Sequence, residues 1–222
     1  MNNDDLFFLR NNIRYLEFGE AMARSELLEE ETQKGVEAFQ LMAVARFDKW
    51  STIQATLFIK RSEYSGMYAL NKYDATLIYD SRAKPNRMQS FFIKKGTGVT
   101  FRQACNLLQG RSVLTTLWDS GEGKYPAWIQ LSFCERTRDN TNFKVRQFRK
   151  NYGYDLEQVL NTFPIHELRD EQLKQQLLDS LKMGNKQLVT FTKADKAEKM
   201  YIAACPDYKT ITIDSGNYEG SP

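Results

Sequence analysis

The sequence predicts an α+β fold in which helices pack on antiparallel sheets. Amphipathic helical stretches lie near both ends of the chain, and strand-like runs joined by polar turns fill most of the remainder. A short pattern also occurs twice, at 66–81 and at 199–215. Each copy is interpreted as a strand, a turn and a second strand closing on Asp-Ser. This predicts two weakly related helix-plus-meander units around a central helix–hairpin.

The composition is that of a folded chain with no membrane segment. Of the 222 residues, 41% are hydrophobic and 13% aromatic, which excludes a disordered chain. No apolar run reaches the roughly 18 residues that a membrane-spanning helix needs. The acidic start, Met1–Asp5, lacks the basic region of a secretory signal, so we expect a cytoplasmic protein without a membrane partner. The three cysteines show no paired spacing, and no cofactor is expected.

The first third of the chain begins with helix and continues in strands. Apolar residues at three-to-four spacing predict helix over 4–34, divided at Gly19 and ended near Gly35. Strands are then predicted at 39–47 and 53–59. The first copy of the repeated hairpin follows at 66–81, and a loop at 82–87.

The middle of the chain has the clearest helix signal. Thr100, followed three residues later by Gln103, is a capping box that opens a helix over 101–109 after a strand at 90–93. The glycine-rich stretch at 94–100 before this helix has two interpretations. It is a plain strand-to-helix turn, or its backbone amides and two lysines hold an anion such as a nucleic-acid phosphate. A hairpin of strands 113–118 and 127–133 follows.

The last third predicts a basic segment, two helices and a meander. Residues 143–150 are a strand or a short helix, and Asp155 with Gln158 repeats the capping-box spacing. A helix is predicted at 167–183, and the three strands of the meander at 188–191, 200–204 and 210–213. No linker-like composition separates them, so we expect one body over 1–222 with sub-units 1–88, 89–163 and 164–222.

The basic segment is the strongest functional candidate in the chain. Residues 136–150 carry six basic side chains against one acidic side chain, whereas residues 1–50 carry a net charge of −4. A cationic strand flanked by aromatic residues suits phosphates and stacked bases. The alternative is an edge strand that charge protects from aggregation. The candidate nucleic-acid-binding residues are Lys144, Arg146, Arg149, Lys150, Tyr152 and Trp128.

Other candidates for chemistry are weaker. Asp80 and Asp214 occupy the same place in the two copies of the repeat, where they either share a cation or form strand-ending turns. His166 is the single histidine and is interpreted as structural. No catalytic residue and no metal site is predicted.

Four phrases resemble a known family. They are LLQGRSV at 107–113, GKYPAWIQL at 123–131, NYGYDL at 151–156 and MYIAACPDYKTI at 200–211. Over about residues 100–215 the chain resembles uncharacterised proteins and domains carried on conjugative and other mobile elements of anaerobic gut bacteria. Cys205 departs from the pattern, since a polar residue is expected before the proline. The resemblance implies a mobile-element or phage setting and supplies no activity.

Three functions follow as expectations. The first is a non-enzymatic accessory protein that binds DNA or RNA through the basic segment. The second is an adaptor or inhibitor that engages a host or element protein through an exposed sheet edge or an acidic helical face of Glu26, Glu29 and Glu30. The third is an enzyme with an unrecognised carboxylate site. The paired hairpins predict an internal pseudo-dimer, which favours a monomer.

Overall fold

Ten strands in three antiparallel sheets, together with six α-helices, make up the described part of the chain, which confirms the predicted α+β class. The structure is a computed structural model that describes residues 3–81, 84–193 and 196–215. Of the loop predicted at 82–87, Arg82 and Ala83 therefore lie outside the described residues. No helix in these three ranges is long and apolar enough to cross a membrane.

The backbone divides into two compact units. The first comprises the described residues of Met1–Leu108 and Leu117–Lys124, and the second those of Gln109–Thr116 and Tyr125–Pro222. The expectation of one body built from three sub-units stays a prediction.

Four helices and a four-stranded antiparallel sheet form the first unit. The helices are α1 (Asn3–Tyr15), α2 (Glu20–Ala23), α3 (Glu26–Lys34) and α4 (Phe101–Leu108). The strands, in the order β1-β2-β3-β4, are β1 (Ala38–Ala45), β2 (Ser51–Arg61), β3 (Tyr68–Tyr79) and β4 (Arg87–Phe92). Burial alternates along β2 and β3, so one face of the sheet is buried and the other is open.

Tyr73 on β3 lies at the centre of the first unit's core. Its side chain is fully buried, and its hydroxyl donates to the carbonyl oxygen of Val99 at 2.7 Å. Phe18 meets the ring edge-to-face at 5.1 Å, and Phe91 stacks on it at 5.3 Å. Burial raises the pKa of Tyr73 well above its ordinary value, so the hydroxyl remains a neutral donor.

The second unit combines two helices with most of the residues of two three-stranded sheets. One sheet has the order β5-β6-β7 and the other the order β10-β9-β8. Its strands are β5 (Val113–Asp119), β6 (Gly123–Arg136), β7 (Phe143–Phe148), β8 (Gln187–Lys193), β9 (Lys196–Cys205) and β10 (Thr210–Asp214). The helices are α5 (Leu156–Leu160) and α6 (Glu171–Lys182), and short 3₁₀ turns lie at Lys150–Tyr152, His166–Arg169 and Pro206–Tyr208.

One apolar cluster joins the helices and sheets of the second unit. Trp128 and Phe148 come from β6 and β7, while Leu160, Leu178 and Leu181 come from the two helices. Burying such side chains contributes about 1.5–3 kcal/mol each, before the entropy of ordering them is subtracted. The helix predicted over 167–183 corresponds to α6, which buries Leu177, Leu178 and Leu181, while His166–Arg169 form a separate 3₁₀ turn before it.

Both predicted helix starts are confirmed. The Thr100 amide donates to Gln103 Oε1 at 3.1 Å, and the Gln103 amide donates to Thr100 Oγ1 at 3.3 Å. Asp155 accepts from the amides of Glu157 and Gln158. In each case the side chains satisfy amides that the first helical turn leaves without a partner.

The prediction of a hairpin at 66–81 is wrong. This segment is the single strand β3, which pairs with β2 along its whole length. Polar residues near Asn71 look like a turn in the sequence, but the register shifts there between Phe58 and Ile59, so they form a bulge. The copy at 199–215 is a true β9–β10 hairpin, and the two copies therefore differ in structure.

The N-terminal helical stretch is divided more often than predicted. A second break follows α2, because Ser25 caps α3 by accepting the Leu28 amide at 3.4 Å. The end predicted at Gly35 is confirmed, since Gly35 has a left-handed φ of 70°.

Candidate nucleic-acid interface

The basic segment forms an edge strand. β7 pairs with β6 and lies at one side of the β5-β6-β7 sheet. Phe143 and Phe148 are buried at its two ends, while the residues between them are exposed. The apolar ends fix the strand to the unit, and its cationic middle therefore faces solvent. The strand interpretation of 143–150 holds for 143–148, after which the chain turns.

Lys144 and Arg146 pair with acidic side chains. Lys144 Nζ lies 2.8 Å from Glu135 Oε2. Arg146 makes a bidentate pair with Asp207, at 2.7 and 2.5 Å. The hydrogen bond from Lys144 lowers the pKa of Glu135, and the bond to Asp207 raises the pKa of Arg146. Glu135, Lys144 and Arg146 are therefore charged at neutral pH.

Two tight turns project further side chains beside β7. The Lys150–Tyr152 turn closes on Gly153, whose left-handed φ of 79° favours glycine. The Pro206–Tyr208 turn closes on Lys209 with a φ of 51°, and the Lys209 amide donates to the Pro206 carbonyl at 3.0 Å. Tyr208 extends from this second turn and is 79% exposed.

Aromatic rings and cations alternate on this surface. The Arg149 guanidinium lies 4.1 Å from the ring centre of Tyr125, and Lys209 Nζ lies 4.7 Å from that of Tyr152. The Tyr152 hydroxyl donates to the Asp207 carbonyl oxygen at 2.9 Å. These contacts join the two turns to each other, and the Arg146–Asp207 pair joins β7 to the second turn.

Trp128 does not belong to this surface. Its side chain is only 6% exposed, and its ring packs edge-to-face on Tyr154 at 5.4 Å within the core. The prediction of Trp128 as a stacking surface is therefore wrong. Trp128 shares a strand face with Gln130 and Ser132, which favoured a surface position in the sequence. It lies opposite Phe148, however, and both rings belong to the core.

We use the name basic edge for the surface of Tyr125, Lys144, Arg146, Arg149, Lys150, Tyr152, Tyr208 and Lys209. Five of these residues were predicted from the sequence. Tyr125, Tyr208 and Lys209 were missed, because they reach this surface through contacts with residues distant in the sequence. The Tyr125 hydroxyl donates to Gln147, Asp207 before Tyr208 pairs with Arg146, and Lys209 lies over the Tyr152 ring. A signal was present in the tight turn Pro206–Tyr208, where an aromatic residue and a lysine follow a proline between two strands.

The anion interpretation of the stretch at 94–100 is wrong. Thr100 Oγ1 donates to Glu17 Oε2 at 2.7 Å, so a carboxylate of the chain lies beside the start of α4. The capping box satisfies the amides of Thr100 and Gln103. An intramolecular anion thus fills the position that a phosphate would take.

The candidate carboxylates are bound to local cations. Arg46 lies 2.6 Å from Asp80, and Lys186 lies 2.6 Å from Asp214. His166 is exposed at the start of a 3₁₀ turn. In the described ranges, no group of three or more His, Cys, Asp or Glu side chains is arranged to hold a metal ion.

The acidic helical face is partly neutralised. Glu29 pairs with Arg10, and Glu30 lies 3.6 Å from Lys34. Lys34 also bonds to Glu31 at 2.8 Å. These ion pairs reduce the negative field that a basic partner protein would meet.

No protein-family model, curated protein or solved structure matches the chain. The resemblance to mobile-element proteins thus stays a prediction.

Proposed function

We propose that the chain binds nucleic acid through the basic edge. The observation that carries this proposal is the alternation of exposed cations and tyrosines on one edge strand and the two turns beside it. Lys144, Arg146, Arg149, Lys150 and Lys209 supply positive charge, opposed nearby by Glu135 and Asp207. Neutralising phosphates releases counterions, so such a surface binds nucleic acid with a marked dependence on salt.

The existing ion pairs permit this role. Arg146 and Lys144 have side chains about half exposed, at 46% and 56%. Exposed pairs such as Lys144–Glu135 are worth about 0–1 kcal/mol, so a phosphate can replace Glu135 at little cost. The bidentate Arg146–Asp207 pair is less exposed, since the Asp207 side chain is 21% exposed, and replacing it costs more. Arg146 offers the fork geometry that matches a phosphate in the same bidentate way.

The aromatic residues favour single strands over duplexes. Tyr208 is exposed enough to stack on an unpaired base, and Tyr152 retains 36% exposure beside it in the same surface. Each base stacked on an aromatic ring contributes about 1–3 kcal/mol, and bases are available for stacking only where the strands are separated. The proposed ligand is therefore single-stranded DNA or RNA.

The proposed role is binding, as an accessory protein of a mobile element. The binding part of this proposal rests on the basic edge. The mobile-element part rests on the four phrases in the sequence and is independent of the geometry.

Fluorescence anisotropy with a labelled single-stranded oligonucleotide tests the proposal. We expect the double substitution Arg149→Glu and Lys150→Glu to weaken binding at least about tenfold, because four units of charge are changed at the basic edge. The matched control is Lys182→Glu with Lys199→Glu, which changes the net charge equally on α6 and β9. Equal losses of affinity in both variants would show that only the net charge of the protein matters. Unchanged binding by the Arg149→Glu, Lys150→Glu variant would refute the proposal.

A further inference from the structure

The outer edge of β1 is an unprotected strand edge. β1 is the first strand of the β1-β2-β3-β4 sheet and pairs only with β2 in it. Its eight residues, Ala38–Ala45, include no charged residue, proline or glycine, and its register with β2 has no bulge. Charges, prolines and bulges are the devices that keep strand edges apart. β7 carries such charges, whereas β1 carries none.

The backbone groups that face outward can be assigned. Glu37 O accepts from the Arg61 amide at 2.8 Å, one position before the first residue of β1. Because an antiparallel ladder alternates, the odd-numbered residues of β1 bond to β2. The amides and carbonyls of Ala38, Gln40, Met42 and Val44 therefore point away from the sheet, and no backbone bond to their outward groups occurs among the described residues.

The side chains at this edge are apolar and exposed. Met42 is 68% exposed and Val44 is 62% exposed, both on the open face of the sheet. The middle of that face is polar, with Lys72 lying 3.5 Å from Asp74. A partner lying flat on the face would bury this ion pair, whereas a strand added at the edge leaves it in water. The edge is thus the better docking site.

We propose that β1 pairs antiparallel with β1 of a second copy about a twofold axis. A second copy suits this edge because two uncharged strands meet without repulsion, and a twofold contact matches each outward donor to an acceptor. Full overlap sets Gln40 opposite Met42 and Ala38 opposite Val44, which forms about eight main-chain hydrogen bonds. The two Met42 side chains become diagonal neighbours, and the two sheets become one.

This proposal replaces the expectation of a monomer. That expectation rested on two facing hairpins, and the first of them is the single strand β3. A twofold contact closes on itself, so assembly ends at the dimer. Because the interface is a single strand pair, we expect a modest affinity, with a Kd of about 10 µM.

Sedimentation of the full chain from about 1 µM to about 1 mM tests the dimer, since this range brackets the expected Kd. The Met42 amide points outward, so Met42→Pro removes no bond to β2 but blocks the new ladder. We expect Met42→Pro to weaken dimerisation at least about tenfold, and the control Met42→Ala, which keeps the amide, by less than about threefold. A wild-type monomer at every concentration, or a dimer that tolerates Met42→Pro, would overturn the proposal.

Amide hydrogen exchange in the wild-type chain gives a second readout that does not depend on the variant's folding. The amides of Gln40, Met42 and Val44 are expected to exchange more slowly as concentration rises. Those of Leu41 and Ala43 already bond to β2 and serve as internal references. A dimer in which the three outward amides stay unprotected would place the contact elsewhere and contradict the proposal.

Discussion

Asp207 holds the basic edge together and also opposes its charge. Its carboxylate pairs with Arg146, and its carbonyl oxygen accepts from Tyr152. If the surface only protects an edge strand, the intact ion pair is an advantage, because it stabilises that edge. A surface that binds phosphates gains from losing the carboxylate. The same residue therefore separates the two interpretations of the basic segment.

Asp207→Asn is expected to tighten binding of a single-stranded oligonucleotide about two- to fivefold, since it removes one opposing charge and frees Arg146. The free energy of unfolding should fall by no more than about 1 kcal/mol, because water reaches the pair through the half-exposed Arg146 side chain. Binding is measured by anisotropy and stability by urea unfolding. Asp214→Asn, which breaks the pair with Lys186, is the control. Weaker binding by a folded Asp207→Asn protein would favour the purely structural interpretation.

Glu20 gives a prediction about pH at the start of the first unit. Its hydrogen bond from Arg14 lowers its pKa from 4.5 to about 2. The stability that this carboxylate contributes is fully present above about pH 4.5 and is lost as the pH falls toward 2, because protonation breaks the pair.

Glu20→Gln should therefore lower the urea midpoint at pH 6, and the difference from wild type should shrink steadily as pH falls below about 4.5. The measurement is a series of urea unfolding curves at fixed ionic strength. Glu26→Gln, at an exposed position on α3, is the matched control. A difference between Glu20→Gln and wild type that is constant over this range would contradict the assignment.

At the scale of elements, the sequence predicted the features that depend on neighbouring residues. The capping box at Thr100 and the glycine end at Gly35 depend on residues close in sequence, and both are confirmed. The bulge near Asn71 depends on pairing with β2, and the burial of Trp128 depends on the core of the second unit. Neither of the latter has a local signature, so sequence patterns alone pointed to a turn and to a surface residue.

The helix start at Thr100 carries its own prediction. Thr100→Ala removes the cap and the hydrogen bond to Glu17, and should lower the free energy of unfolding by about 1–2 kcal/mol. Thr100→Ser keeps the hydroxyl and should cost less than half as much. Urea unfolding measures both variants. Equal losses would indicate that the threonine methyl group, rather than the cap, stabilises α4.

At the scale of the whole molecule, charge is distributed unevenly between chain segments. The net charge is only +3, yet residues 136–150 have a large excess of basic side chains. The sequence was enough to find this segment and most of its cations. It was not enough to find Tyr125, Tyr208 and Lys209, because side-chain contacts between residues distant in the sequence bring them to the basic edge.

The salt dependence of binding tests the central claim most directly. The logarithm of Kd for a single-stranded oligonucleotide is measured against the logarithm of salt concentration, for wild type and for Arg149→Gln with Lys150→Gln. For wild type we predict a slope that corresponds to about three to five phosphate contacts. In the variant the magnitude of the slope should fall by about one to two. No binding at low salt, or the same slope in both proteins, would contradict the assignment of the basic edge as a nucleic-acid surface.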